Sequence, residues 1–200
     1  MHDSDPTEGT AGGAGGGGPG GGGRRRSSRG LLGQLAQEAV QAELELTADQ
    51  IGKLEDLAES SRPDRADFEE LSALPPEEQA KIREQRRKDA EAAVKEILDG
   101  KQFARAMQLA LRSTGPEALG RDDVAVQLDL TDEQREKLAG IFSTQQEQRS
   151  ALFQGGDRST IREKMTELRQ KTNAAAMAVL TEEQTQAWEK LLGPPGPEAP

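Results

Sequence analysis

The sequence predicts an all-α fold: a duplicated long helical hairpin with short flanking helices, a thin core and a disordered Gly-rich N-terminal tail. From residue 31 onward, apolar residues recur at helical spacing and almost never alternate as they would in strands. A five-residue pattern also recurs, as LTADQ at 46–50, LTDEQ at 130–134, LTEEQ at 180–184 and the degenerate LDGKQ at 98–102. Equivalent copies lie 84 residues apart (46 to 130) and 82 apart (98 to 180), which indicates one repeated unit.

The composition limits both the core and the class of partner. Four Phe and one Trp are the only aromatic residues among 200, too few to anchor a deep core, so packed helical hairpins are expected. The net charge of −10 argues against nucleic acid or an anionic membrane as the main partner. The absence of Cys excludes disulfides and thiolate metal sites.

Neither a membrane span nor a signal peptide is predicted. The sequence contains no apolar run long enough to cross a bilayer, and its start, MHDSDPTEG, is acidic rather than apolar. The protein is therefore interpreted either as cytoplasmic or as a form whose export signal is missing.

Four segments are predicted along the chain. Residues 1–30 form a Gly/Arg-rich tail that cannot bury enough surface to become ordered. Residues 31–113 are the first helical repeat and residues 114–193 the second, and a Pro-rich disordered tail follows at 194–200.

Each half is expected to contain a short helix, two long helices and a closing short helix. In the first half these are about 32–44, 48–73, 76–97 and 100–112. Pro63 should kink or break the second of them, whereas Pro76 suits the first turn of the third.

The second half repeats this order, with helices at about 116–128, 132–154, 158–179 and 182–192. Gly155 and Gly156 join the two long helices, and Asp157 is expected to cap the second. In the helix at about 158–179, the residues of the inner face are spaced in alternating steps of four and three, as in the seam of a coiled coil. They are Ile161, Met165, Leu168, Thr172, Ala175 and Val179.

The repeated pattern has a structural interpretation as a helix-capping box. A Thr hydroxyl accepts from the backbone N–H three residues on, while a Gln side chain at that position reaches back to the cap N–H. Asp replaces Thr in the degenerate copy. The motif is therefore interpreted as fixing corners between helices rather than binding or catalysing. Its residues are Leu46, Thr47, Gln50, Leu98, Asp99, Gln102, Leu130, Thr131, Gln134, Leu180, Thr181 and Gln184.

Three sets of charged residues are candidates for binding. Cations on the third helix of each half could line a polar groove for a partner, or could simply be solvated helix faces; they are Arg83, Arg86, Arg87, Lys88, Arg162, Lys164, Arg169 and Lys171. Carboxylates could form a weak metal site, the candidates being Glu69, Glu70, Glu77 and Glu78. The basic cluster of Arg24, Arg25, Arg26 and Arg29 is either a solubilising linker or a contact for a nucleic acid or an anionic surface.

No catalytic apparatus or cofactor site is predicted. The only His is His2, in the N-terminal tail, so His-based acid/base chemistry, Ser-His-Asp triads and His metal sites are not expected. The glycine run is low in complexity and is neither a phosphate-binding loop nor a dinucleotide fingerprint.

The LTADQ, LTDEQ and LTEEQ stretches, with LDGKQ as a degenerate partner, resemble the LTxxQ-motif family of Spy/CpxP-like periplasmic proteins over roughly residues 31–193. The resemblance implies a curved all-α hairpin without catalytic activity, located outside the cytoplasm. It implies an ATP-independent chaperone for unfolded clients, or a stress-response adaptor that binds a sensor protein. Because this chain carries two hairpin units, it is expected to form either a homodimer or a pseudo-dimer within one chain.

Overall fold

In a computed structural model, the chain is described over residues 30–62, 65–155 and 158–197. These residues form helices and connecting turns without any strand, which confirms the predicted all-α class. Four predictions fall wholly or partly outside the described residues: the tail over 1–30 except Gly30, the break at Pro63, the link at Gly156 with its cap at Asp157, and the tail over 198–200.

The first half contains six helices within the described residues. They are α1 (Leu31–Leu35), α2 (Glu38–Glu43), α3 (Ala48–Ser60), α4 (Arg65–Ala73), α5 (Pro76–Ile97) and α6 (Gly100–Thr114). Pro76 occupies the first turn of α5, where its missing N–H leaves no helical hydrogen bond unmade. The predicted helix over 48–73 is interrupted, because α3 ends at Ser60 and α4 begins at Arg65.

The second half begins with a 3₁₀ helix and continues with α-helices. Its elements are the 3₁₀ helix (Gly115–Gly120), α7 (Asp122–Gln127), α8 (Asp132–Gly155), α9 (Arg158–Met177) and α10 (Glu182–Leu192). Pro116 lies in the first turn of the 3₁₀ helix, as expected for a residue with a fixed φ.

The two short helices expected at 32–44 and 116–128 are each broken in the middle, which corrects the prediction. Gln37 and Arg121, 84 residues apart, both take an extended conformation between two helical turns. The carbonyl group of Leu35, freed by the first break, accepts from the Gln41 side chain at 2.9 Å. The breaks redirect the chain so that apolar residues on both sides are buried, namely Leu35, Val40, Leu119 and Val124.

A left-handed residue precedes the first motif copy of each half. Glu45 (φ 51°) and Asp129 (φ 49°) are the described non-Gly residues with positive φ. After the first of them, the Leu46 N–H donates back to the Gln41 carbonyl at 3.0 Å. After the second, the Leu130 N–H donates to Ala125 at 2.9 Å. Both connections are Schellman-type helix ends, which turn the chain sharply into the motif.

The buried core is divided into two clusters that meet in α6. The first consists of Leu31, Leu35, Val40, Leu44, Leu54, Val94, Leu98, Ala106, Leu109 and Ala110. The second consists of Leu111, Ala118, Leu119, Val124, Ala125, Leu128, Leu130, Leu138, Ala176 and Trp188. Because successive residues of α6 belong to different clusters, this helix lies between the two halves.

Helices α8 and α9 pack against each other as a long hairpin with an uneven interior. Leu138 and Ala176 are buried near its base, whereas Phe153 near its tip is 63% exposed. In the first half α3 packs against α5, but α4 separates these two helices in sequence, so they are not joined directly as α8 and α9 are. The predicted duplication of the long hairpin therefore stays a prediction.

Two further features complete the fold. No helix within the described ranges has both the length and the apolar character needed to cross a lipid bilayer. The prediction of disorder over 194–200 is corrected for residues 194–197, which lie against α6 because Arg105 donates hydrogen bonds to the carbonyls of Pro194 and Pro195.

Candidate functional site

All four motif copies form the reciprocal capping box that the sequence predicts. In the first copy the Gln50 N–H donates to Thr47 Oγ1 at 3.2 Å, while the Thr47 N–H donates to Gln50 Oε1 at 3.0 Å. The copies at 131–134 and 181–184 repeat these two distances. In the degenerate copy, Asp99 Oδ1 accepts from the N–H groups of Lys101 and Gln102 at 2.8 and 2.9 Å.

The capping glutamines also bind each other across the structure. Gln50 Nε2 donates to Gln102 Oε1 at 2.8 Å and to the carbonyl of Ile97 at 3.1 Å. In return, Gln102 Nε2 donates to the carbonyl of Leu44 at 3.1 Å and lies 3.4 Å from Gln50 Oε1. The two corners of the first half are thereby joined by a reciprocal amide pair.

The second half has the same arrangement between its own two corners. Gln134 Nε2 donates to Gln184 Oε1 at 2.7 Å and to the carbonyl of Val179 at 2.9 Å. Gln184 Nε2 donates to Gln134 Oε1 at 3.0 Å and lies 3.4 Å from the carbonyl of Asp129. Each amide pair thus joins the start of one helix to the chain segment that leads into the other.

The leucines that open the motif copies belong to the core. Leu98 and Leu130 are buried, while Leu46 and Leu180 pack against the two clusters as partly buried residues. The motif residues are therefore held by caps, amide pairs and apolar contacts.

The sequence predicted the caps but not the amide pairs. Either Glu or Gln can complete a capping box, yet all four copies carry Gln at this position. This uniform use of Gln is the sequence feature that indicates a further contact of the amide. Only an amide can accept from the cap N–H and also donate to a carbonyl on the neighbouring corner.

Arg87, one of the proposed partner-binding cations, is instead used within the fold. Its guanidinium lies 2.6 Å from Glu91 Oε1, 2.5 Å from Glu84 Oε1 and 3.3 Å from Asp123 Oδ1. Arg121 lies 3.0 Å from Glu91 Oε1 and 2.7 Å from Asp123 Oδ2. We call these five residues the α5–α7 clasp, since they tie α5 to the start of α7.

The clasp shifts the ionisation of its members. The hydrogen bond from Arg87 lowers the pKa of Glu84 more than burial raises it. Burial alone would raise the pKa of Asp123, but the hydrogen bond from Arg121 and the charges of both arginines outweigh it and lower that pKa. Burial opposes the charge of Arg87, yet its carboxylate partners raise its pKa further. These directions keep Glu84, Arg87 and Asp123 charged at neutral pH.

The other three cations of α5 that were predicted to bind a partner, Arg83, Arg86 and Lys88, are exposed and make local contacts. Arg83 donates to Gln79 Oε1 at 2.6 Å, Arg86 lies 4.0 Å from Asp67, and Lys88 lies 3.4 Å from Glu84. Arg83 and Arg86 line an open groove of about 670 Å³ beside α3.

The cations of α9 divide between two sides of the hairpin. Arg162 and Arg169 line a groove of about 230 Å³ with Arg149 and Glu117. Lys164 and Lys171 line a different groove of about 320 Å³. None of these three grooves is lined by cations of both α5 and α9, so none of them joins the two sets into one basic surface.

The lysine-lined groove continues into a second one of about 550 Å³ that shares Gln148, Leu168 and Lys171 with it. Together they form a strip along α8 and α9, which we call the hairpin groove. Its apolar lining is Gly140, Ile141, Ala151, Leu152, Leu168 and Ala175, and its cationic edge is Lys137, Lys164 and Lys171.

The hairpin groove was not predicted from the sequence. Leu168 belongs to the predicted seam, yet the structure leaves it only half-buried, as it does Ile141 and Leu152 on the facing helix. The signal was the narrowness of the 4-3 seam, since so few large side chains cannot fill both sides of a two-helix hairpin.

The carboxylates proposed as a metal site do not assemble. Glu69 and Glu70 lie on α4, while Glu77 and Glu78 begin α5, and all four are exposed. Over the described ranges, no three His, Cys, Asp or Glu side chains gather in a metal-binding arrangement.

Comparison with protein-family models, curated proteins and solved structures gives no match to this chain. The resemblance to the LTxxQ-motif family therefore stays a prediction.

Proposed function

We propose that this protein is a non-enzymatic helical binding protein similar to Spy and CpxP, acting in the cell envelope on unfolded or partner proteins. The observation that carries the proposal is the hairpin groove, an open apolar strip with a cationic edge. The capping motifs keep the helices in place while this strip has no covering element among the described residues.

The chemistry of the strip suits an unfolded client better than a small molecule. Ile141, Leu152 and Leu168 offer apolar surface without enclosing a ligand. Lys137, Lys164 and Lys171 are all exposed, and Lys137 and Lys171 lie beside Glu133 and Glu167 at 2.8 and 2.6 Å. Such a surface accommodates many apolar segments and favours those flanked by acidic residues.

The test is the suppression of client aggregation by the full chain. A reduced or thermally unfolded client is followed by light scattering with the protein at ratios up to equimolar, without ATP. We expect suppression by the parent protein and a several-fold loss in the double variant Ala151→Glu/Ala175→Glu. Both alanines are exposed and line the groove, so two carboxylates there disfavour apolar binding without disturbing the core.

The matched control is Ala139→Glu/Ala174→Glu, which changes the charge equally at exposed positions of α8 and α9 outside the groove. It is expected to keep the parent's activity. No suppression by the parent at any ratio would remove the chaperone proposal, and equal loss in both variants would remove the groove from it.

The alternative is a regulatory module that binds one dedicated partner, such as a sensor protein. A pull-down from envelope extract that gives a single stoichiometric partner, together with no suppression of aggregation, favours this alternative. Light scattering of the purified chain decides between a homodimer and an intrachain pseudo-dimer. An in-frame apolar leader upstream of Met1 would support export to the periplasm.

A further inference from the structure

The segment after α10 lies on a face of α6 that is built from hydrogen-bond donors. Arg105 donates to the carbonyls of Pro194 and Pro195 at 3.0 and 2.9 Å, and Arg112 donates to the carbonyl of Gly193. Three consecutive carbonyls of a Gly-Pro-Pro sequence are therefore bound by two guanidinium groups.

The spacing of the donors follows from the helix. Arg105, Leu109 and Arg112 are at positions i, i+4 and i+7, so they share one face over two turns. Arg105 is also held by contacts that do not involve the segment after α10, because its Nε donates to Glu43 on α2 at 2.6 Å and its Nη1 donates to Gln108 Oε1 at 3.2 Å. These contacts orient the guanidinium toward the segment.

The face also restricts the shape of what it binds. A Cβ placed on Gly196 would lie 2.7 Å from Leu109 Cδ2, closer than non-bonded carbons approach. A residue with a side chain at that point would require either the segment or the Leu109 side chain to move. Leu109 itself is buried at 3% exposure, beneath this segment.

A Gly/Pro-rich extended segment fits this combination better than other peptides. Proline has no N–H, and polyproline II backbone makes no internal hydrogen bonds, so its carbonyls are free to accept from arginine. Arginine presents donors only, in a rigid fork, and so matches a chain that presents acceptors.

We propose that this face of α6 is a binding site for extended Gly/Pro-rich segments of other polypeptides, with residues 193–197 as its intramolecular, displaceable ligand. The segment follows α10 directly, which ends at Leu192. Because the segment 193–197 is covalently linked to this face, its effective concentration there is about 1 mM or above. A free peptide therefore displaces the segment only when the peptide concentration reaches the millimolar range.

The test uses a nitroxide label on the full chain. The protein has no Cys, so Pro197→Cys gives a single attachment site at an exposed position. We expect an immobilised electron paramagnetic resonance spectrum in the parent background and a mobile one in Arg105→Ala/Arg112→Ala. Gly196→Leu, which leaves every residue of α6 unchanged, should also release the label.

The ligand probe is a free peptide with the sequence of Gly193–Pro200, titrated to about 10 mM. Saturable release by this peptide, and none by a peptide with Ala in place of every Pro, supports the proposal. The charge-matched control Lys53→Ala/Lys137→Ala, at exposed lysines on other helices, should keep the label immobilised.

Four results would overturn the proposal or one of its steps. A label that is mobile in the parent contradicts the binding of residues 193–197, and a label that is equally immobile in Gly196→Leu contradicts the steric restriction over Leu109. Failure of the free peptide to release the label at 10 mM contradicts displacement and makes the segment a permanent part of the fold. Equal release by both peptides contradicts the preference for proline.

Discussion

At the residue scale, each capping glutamine makes more contacts than a cap needs. Gln134 Oε1 accepts from the Thr131 N–H and from Gln184 Nε2, while its own Nε2 donates to Val179 and to Gln184 Oε1. A carboxylate could replace only the accepting half of this set. The amide, rather than the cap alone, explains why Gln stands at this position.

The substitution Gln134→Glu isolates this difference because the two side chains have nearly the same shape. We expect a loss of about 1–3 kcal/mol in the free energy of unfolding at pH 7, since the Val179 carbonyl loses its donor. Urea denaturation measures the loss. The difference in the free energy of unfolding between Gln134→Glu and the parent should become smaller below about pH 4, where the protonated carboxyl group can donate a hydrogen bond again.

Gln146→Glu provides the control, since it makes the same change at an exposed position of the same helix. It should shift stability by less than about 0.5 kcal/mol. Equal losses in the two variants would mean that the amide pair does not stabilise the corner.

At the scale of the element, the α8–α9 hairpin is anchored at one end. Leu138 is 1% exposed at its base, whereas Leu152, fourteen residues further along α8, is half-buried. The hairpin therefore loses packing toward its tip, which is where the apolar lining becomes accessible.

This gradient predicts unequal costs for the same truncation. Leu138→Ala should cost about 2–5 kcal/mol, as for a fully buried leucine, and Leu152→Ala about 1 kcal/mol or less. Denaturant unfolding measures both values, and amide hydrogen exchange should be slowest at the base. Equal costs, or uniform exchange along α8, would contradict an anchored base and an open tip.

At the scale of the whole molecule, the α5–α7 clasp connects the two halves through charge. The pKa of Asp123 is lowered in the folded protein, so its contribution is present above the unfolded value near 4. That contribution is lost as the pH falls through the lower folded value. Acid should therefore weaken the connection between the halves.

Arg121→Met removes one cation of the clasp and keeps an apolar stem. We expect a loss of about 1 kcal/mol at pH 7, at the lower end for ion pairs because Asp123 is 38% exposed and screened by solvent. Thermal unfolding from pH 7 to pH 2.5 measures the difference in stability from the parent, which should shrink as the pH falls below about 4. Arg62→Met, which removes the cation of an exposed ion pair, is the control, and a difference that stays constant down to pH 2.5 would contradict the electrostatic origin.

The sequence predicts those parts of the fold that depend on neighbouring residues. Pro76 and the capping boxes set the starts of α5 and α10, and both helices have the bounds expected from them. The amide pairs and the clasp could not be predicted, because their partners are far apart in sequence; Arg87 and Asp123, for example, are separated by 36 residues. The break at Gln37 has no adjacent Gly or Pro to signal it, whereas Gly120 lies directly before the break at Arg121.

The meeting of the two clusters inside α6 has a consequence for the order of assembly. Every residue of the first cluster lies between Leu31 and Ala110, and every residue of the second between Leu111 and Trp188. Each cluster can thus be completed from one continuous stretch, and contacts of this kind form quickly during synthesis from the N-terminus. The segment at 193–197 is made after both clusters and returns to the first of them over Leu109.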